Sequence, residues 1–169
     1  MASTGAEMCE MLRRAVLILI LALTPALAGA GEPATAEAAI RTRLAAWTEA
    51  FNRGDAAAAC TLFADDLKSD MQGAPAGDKA AVCGRLATAL AKGDRTLSYA
   101  FDIHEILVSG DLAVVRLTWV LTEGPGGRLL ARDEGLDIFR RGPDGAWRIA
   151  RYMAFPVEGE DARAGSGGK

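Results

Sequence analysis

The chain has 169 residues, half of them hydrophobic, and a formal net charge of −3. That length suits one domain and leaves little for a second. Nucleic acid is excluded as a partner, because phosphate backbones are met by clustered Lys and Arg, and the bases here are scattered among acids.

Arg13 and Arg14 precede an apolar run over 15–23, which Thr24 and Pro25 interrupt. Ala26-Leu27-Ala28 and Ala28-Gly29-Ala30 follow, both with small residues where a signal peptidase reads. A basic start, a short apolar stretch and such an ending predict a secretory signal peptide over 1–30, cut after Ala28 or Ala30. A membrane anchor needs about 20 apolar residues, so the mature chain is expected in the periplasm or outside the cell with no stable anchor. Glu7 and Glu10 dilute the charge ahead of Arg13, which makes Met11 a candidate for the true start.

Cys9 leaves with the signal, and Cys60 and Cys83 remain. In an oxidising compartment such a pair readily forms a disulfide, which chain entropy values at about 3 kcal/mol for a loop of this size. Two separately buried thiols are the alternative. Two cysteines and the single His104 fall short of a four-ligand zinc site, and no cofactor motif is present. Neither metal nor cofactor is expected.

Residues 31–35 form a short leader in which Thr35 can cap a helix. Ile40, Leu44, Trp47 and Phe51 then line one helical face. Gly54 stops that helix, and Asp55 caps a second over 56–63. The stretch 65–77 reads as a short strand or loop, broken by Gly73, Pro75 and Gly77. Asp78 caps a third helix with Val82, Leu86 and Leu90 inward and Gly93 at its end. From there the period changes to two. Strands are predicted over 96–108, 112–122, 129–140 and 147–155, joined by Gly-rich turns. Ala113, Val115, Leu117, Trp119 and Leu121 share one face of the second of these. The basic residues Arg140, Arg141, Arg148 and Arg151 gather around one turn and read as a solvated hairpin end. The polar tail 158–169 is expected to be disordered. Helices first and antiparallel hairpins afterwards make an α+β fold.

Several segments resemble the SnoaL-like, ketosteroid-isomerase-like branch of the nuclear-transport-factor-2-like superfamily. They are Asn52-Arg53-Gly54-Asp55, Phe63-Ala64-Asp65-Asp66, the run from Gly110 to Val115, and Asp137-Ile138-Phe139-Arg140-Arg141 leading to Trp147-Arg148-Ile149. The nearest look is to its exported subfamily, the domain of unknown function of the 4440 type. The resemblance implies a cone-shaped domain over 36–157, a curved antiparallel sheet of four to six strands with three N-terminal helices on its concave face. It also implies dimerisation through the convex side in many members. Of the three catalytic positions in ketosteroid isomerases, the late acid falls on Asp137 and the tyrosine position falls on Trp47. The base position falls on Met71, and its neighbour Asp70 serves only if a residue is deleted nearby, because a one-residue shift turns a strand side chain over.

Asp137 is therefore the first candidate: either a pocket carboxyl with a raised pKa, or a surface carboxylate paired with Arg116 or Arg151. Asp70 is the second catalytic candidate. Trp47, Met71, Val115, Leu117, Trp119 and Tyr152 would line the pocket, or simply fill the core. His104, with Asp102 on its strand face, is read as pointing outward, since Leu97, Tyr99, Phe101 and Ile103 take the other face. Asp65-Asp66 reads as a turn pair rather than a calcium site. The expected function is the binding of a small, mostly apolar molecule in the cone. The alternatives are an acid–base enzyme on a carbonyl compound, or a homodimeric interaction protein with a filled pocket.

Overall fold

The computed structural model describes residues 32–91 and 97–157. The expected signal peptide, the Met11 start, Gly93 and the tail from residue 158 lie outside the described residues.

Helix α1 runs Glu32–Asn52, so Thr35 lies inside it instead of capping it. Pro33 sits in the first turn, where its missing N–H costs nothing. Ala36, Ile40, Leu44, Trp47, Ala50 and Phe51 are its buried residues. The helix ends in a Schellman turn: Asp55 N donates to Ala50 O and Gly54 N to Phe51 O, with Gly54 at φ 76°. The Asp55 side chain then caps α2 (Ala56–Cys60) by accepting from Ala58 N at 2.9 Å. Helix α2 is one turn, shorter than the predicted 56–63. Phe63 instead opens strand β1 (Phe63–Met71), because Leu62 O and Phe63 are drawn into pairing with Ile149 of the last strand. Sheet hydrogen bonds outweigh the helical preference of the alanines. Helix α3 (Lys79–Ala91) is capped by Asp78, which accepts from Ala81 N at 2.9 Å.

Strands β2 (Leu97–Ser109), β3 (Leu112–Glu123), β4 (Leu129–Arg141) and β5 (Trp147–Pro156) form an antiparallel meander. Strand β1 joins its far edge alongside β5 in parallel, giving the order β1-β5-β4-β3-β2. The expected antiparallel sheet is thus a mixed, open one of five strands. Parallel pairing requires a long crossover, and the whole meander supplies it. A register shift interrupts each of the four pairings. Such bulges bend and twist strands.

One sheet face carries Val115, Leu117, Phe139 and Ile149, all fully buried or nearly so, and packs with Ile40 and Leu44 in a single core. The Cys60–Cys83 disulfide ties α2 to α3, with Cα atoms 5.7 Å apart. The Asn52 side chain clamps the end of α1 to β2, donating to Tyr99 O and accepting from Tyr99 N. Among the described residues no helix is long and apolar enough to cross a membrane.

Candidate functional site

Alternation along β4 puts Asp133, Gly135, Asp137 and Phe139 on the helix-facing side. Asp137 stands between Val115 of β3 and Tyr152 of β5 as direct cross-strand partners. It is 2 % exposed, and its Oδ2 has no hydrogen-bond partner within the protein. Burial pushes its pKa up to about 8, so at neutral pH the group is mostly a protonated acid able to donate. Neither candidate arginine reaches it. Arg116 faces Glu105 at 3.7 Å, and Arg151 donates to the carbonyls of Asp66 and Ala150.

Gly135 lets an indole pack over the strand next to this acid. A Cβ there would stand 3.0 Å from Leu117 Cδ2 and 3.2 Å from Trp119 Cδ1. Trp119 in turn meets Trp47 edge-on, with ring centroids 4.9 Å apart. Phe51, Tyr99 and Phe101 complete an aromatic cluster around these two indoles. Trp47 Nε1 is the second buried polar atom without a protein partner. Among the described residues the interior therefore holds two buried side-chain atoms without a partner, on an acid and an indole, amid mainly apolar and aromatic side chains.

Two further polar groups belong to the same side. The Tyr99 phenol is pushed up to about 12, by burial first and then by the charge of Asp133 and the proximity of Tyr152. Asp133 itself is half-buried and its pKa is raised by burial. Neither was singled out from the sequence, although the alternation Asp133, Gly135, Asp137 marks one face of a strand and could have shown Asp133.

Other expected site residues lie elsewhere. Asp70 pairs with Met153, whose side is opposite to that of Tyr152, so it projects from the helix-free face and not toward Asp137. Met71 is 37 % exposed and lines an open cleft of about 280 Å³ with Asp70, Met153 and Phe155. It is not part of the interior. Val115 and Leu117 are fully buried there, and Trp119 and Tyr152 are partly buried against the core. His104 is on the helix-free face: its Nε2 lies 2.7 Å from Thr118 Oγ1, which donates to Glu134 Oε1 at 2.8 Å. Asp65 and Asp66 belong to β1 rather than a turn, held by Lys79 and Arg140. A second cleft, of about 800 Å³, opens at the β4–β5 turn. Asp137 lines neither cleft. Among the described residues no three His, Cys, Asp or Glu side chains gather as a metal site.

Solved structures of the same architecture are numerous. A ketosteroid isomerase-like protein from Erwinia carotovora atroseptica is 28 % identical, with TM-score 0.53, over 72 % of this chain and 96 % of that one. An NTF2-like protein with a cystatin-like fold from Novosphingobium aromaticivorans is 25 % identical, with TM-score 0.61, over 76 % of this chain and 86 % of that one. A protein of unknown function from Mycobacterium tuberculosis, with TM-score 0.69 and 19 % identity over 85 % of this chain and 84 % of that one, shares the fold. Among proteins of curated function no significant sequence match is found. The sequence family of the SnoaL-like domain matches residues 44–152, most of the described domain, and the chain belongs to that family.

Proposed function

We propose that the protein binds a small, mostly apolar molecule between α1 and the sheet, with Asp137 and Trp47 as hydrogen-bond donors to its polar atoms. The observation that carries this is the pair of buried, unpartnered polar atoms, Asp137 Oδ2 and Trp47 Nε1. Leaving such a group unpaired costs about 1–3 kcal/mol each, and buried polar groups are paired in the great majority of proteins. A protonated carboxyl and an indole N–H are both donors, so the group they suit is a carbonyl or ether oxygen. The side chains around them are mainly aromatic and aliphatic, as in small-molecule sites generally. Export of the mature chain, with cleavage near Ala28 or Ala30, is part of the proposal. The Cys60–Cys83 disulfide supports it, since such bonds persist in oxidising compartments.

Acid–base catalysis on the same ligand is the second reading. Two carboxyls with raised pKa, Asp133 and Asp137, share one strand face, and perturbed acids cluster at functional sites. Against it, Asp70, the base expected from the sequence, projects from the opposite face. Homodimerisation through the helix-free sheet face would suit its exposed Leu107 and Met153, and is compatible with either.

Native mass spectrometry of protein purified from its producing cells should show a small-molecule adduct. Asp137→Leu fills the same space without the donor; it should lose the adduct while keeping or raising the melting temperature. An adduct that persists in Asp137→Leu would reject the assignment. So would a wild-type protein free of adduct and unaffected by a panel of apolar ketones.

A further inference from the structure

The cleft at the β4–β5 turn is separate from the interior, and its charge does not balance. Arg43, Lys79, Arg140, Arg141 and Arg148 line it against Asp65, Asp66 and Asp144, five cations to three acids. Four of the cations have carboxylate partners. Lys79 Nζ meets Asp65 at 2.7 Å, Arg140 and Arg148 make two-pronged pairs with Asp66 and Asp144, and Arg141 reaches Asp111 beyond the cleft at 2.7 Å.

Arg43 is the exception. It projects from α1, partly buried, and its Nε and Nη2 donate to the main-chain carbonyls of Trp147 and Thr61. Among the described residues no carboxylate meets it. Burial and the charge of Arg148 both disfavour its cation, and only the charge of Asp144, already held by Arg148, favours it. Two carbonyls fix the plane of the guanidinium but do not neutralise it. A cation that is fixed in place before a ligand arrives loses little freedom on binding one. Thr61 and Lys79 also line the cleft.

We propose that this cleft is an oxyanion site, in which Arg43 takes a carboxylate or phosphate group of a small molecule. Guanidinium groups match the geometry of both anions and bind them by charge-assisted hydrogen bonds. The cleft is far larger than the anionic group alone, so the rest of the ligand extends along the β4–β5 turn past Gly142 and Pro143. Three of the four arginines that read in sequence as a solvated hairpin end, Arg140, Arg141 and Arg148, thereby form the rim of a site. Arg43, its centre, comes from a helix about a hundred residues earlier.

The test is titration of the protein with inorganic phosphate and with citrate at constant ionic strength, read by heteronuclear NMR. Saturable shifts should concentrate at Arg43, Thr61 and Gly142 for at least one probe. Arg43→Gln should weaken that binding by about tenfold or more, the worth of one charge-assisted hydrogen bond. Because Arg43→Gln also removes the ties to Trp147 and Thr61, Asp65→Asn serves as the second variant. It frees Lys79 without touching Arg43 and should tighten the same binding several-fold. Shifts that never saturate, or that spread evenly over surface cations, would overturn the proposal. Saturable binding indifferent to Asp65→Asn would also overturn it. None of these outcomes depends on whether the interior around Asp137 holds a ligand.

Discussion

Asp137 on β4 and Asp144 in the β4–β5 turn lie seven positions apart, and the protein drives them in opposite directions. Asp137 is enclosed by Val115, Tyr152 and the aromatic cluster, and burial alone lifts its pKa to about 8. Asp144 is open to solvent, gripped by both prongs of Arg148 and by Ala146 N, and is held well below the usual carboxylate range. The residue type is the same; the desolvation cost and the available partners differ. The interior keeps an acid neutral and unpaired, the state a donor to a ligand needs. The turn keeps its acids charged and paired, the state that orders side chains around a cleft.

The strongest test of this contrast is pH. Asp137 releases its proton near pH 4 when unfolded and near 8 when folded. Over that window the folded state holds the extra proton, so stability should fall as pH rises, by up to about 1.4 kcal/mol per pH unit. Urea unfolding between about pH 5 and pH 7 measures the slope. Asp137→Asn, of similar shape and without the titration, should flatten it. An equal slope in both proteins would show that Asp137 does not stay protonated inside. An infrared band of a protonated carboxyl, present near neutrality and absent from the variant, gives the same answer directly.

A smaller effect is expected at Gly135. An alanine methyl would press on Leu117 and Trp119 at 3.0 and 3.2 Å. Overpacking of this kind costs about 1–3 kcal/mol, and a shift of the indole should alter tryptophan emission. Unchanged melting and emission would mean that the space beside Asp137 is looser than the contacts imply.

Least is expected from Asp144→Asn. Near neutral pH its melting temperature should stay close to that of the parent, because exposed ion pairs contribute little. The folded pKa is depressed, so this group's contribution is complete above its unfolded value and is lost as pH falls through the acid range. Only the acid limb of the stability curve should move. A large loss at neutral pH would put Asp144 in a structural role that its exposure does not suggest.

Much of the architecture was readable in one dimension. The spacing of Ile40, Leu44, Trp47 and Phe51 gave the buried stripe of α1, and the period of two gave four strands to within a residue or two. Gly54 and Asp55 announced the stop of one helix and the start of the next, since capping is a local matter of φ and hydrogen bonding. His104 was correctly turned outward by the alternation of its neighbours. The edge strand was not readable. Phe63 follows a run of alanines that favours helix, and only pairing with Ile149, more than eighty residues later, draws it into a sheet. For the same reason Asp70 and Met71 could not be placed, because their faces depend on register against β5.

The candidate sites divide along the same line. That Asp137 sits on an apolar strand is local information, and the choice between a buried acid and a surface ion pair is not. It turns on whether Arg116 or Arg151 comes within reach, and both are occupied by other acceptors once the sheet has formed. Likewise, Arg43 reads in the chain as one more exposed helical charge. That it meets carbonyls and, among the described residues, no acid emerges when α1 is laid against the β4–β5 turn. Periodicity and capping act over a few residues and survive in a linear string. Desolvation and ion pairing act through space, between groups that only the folded chain brings together.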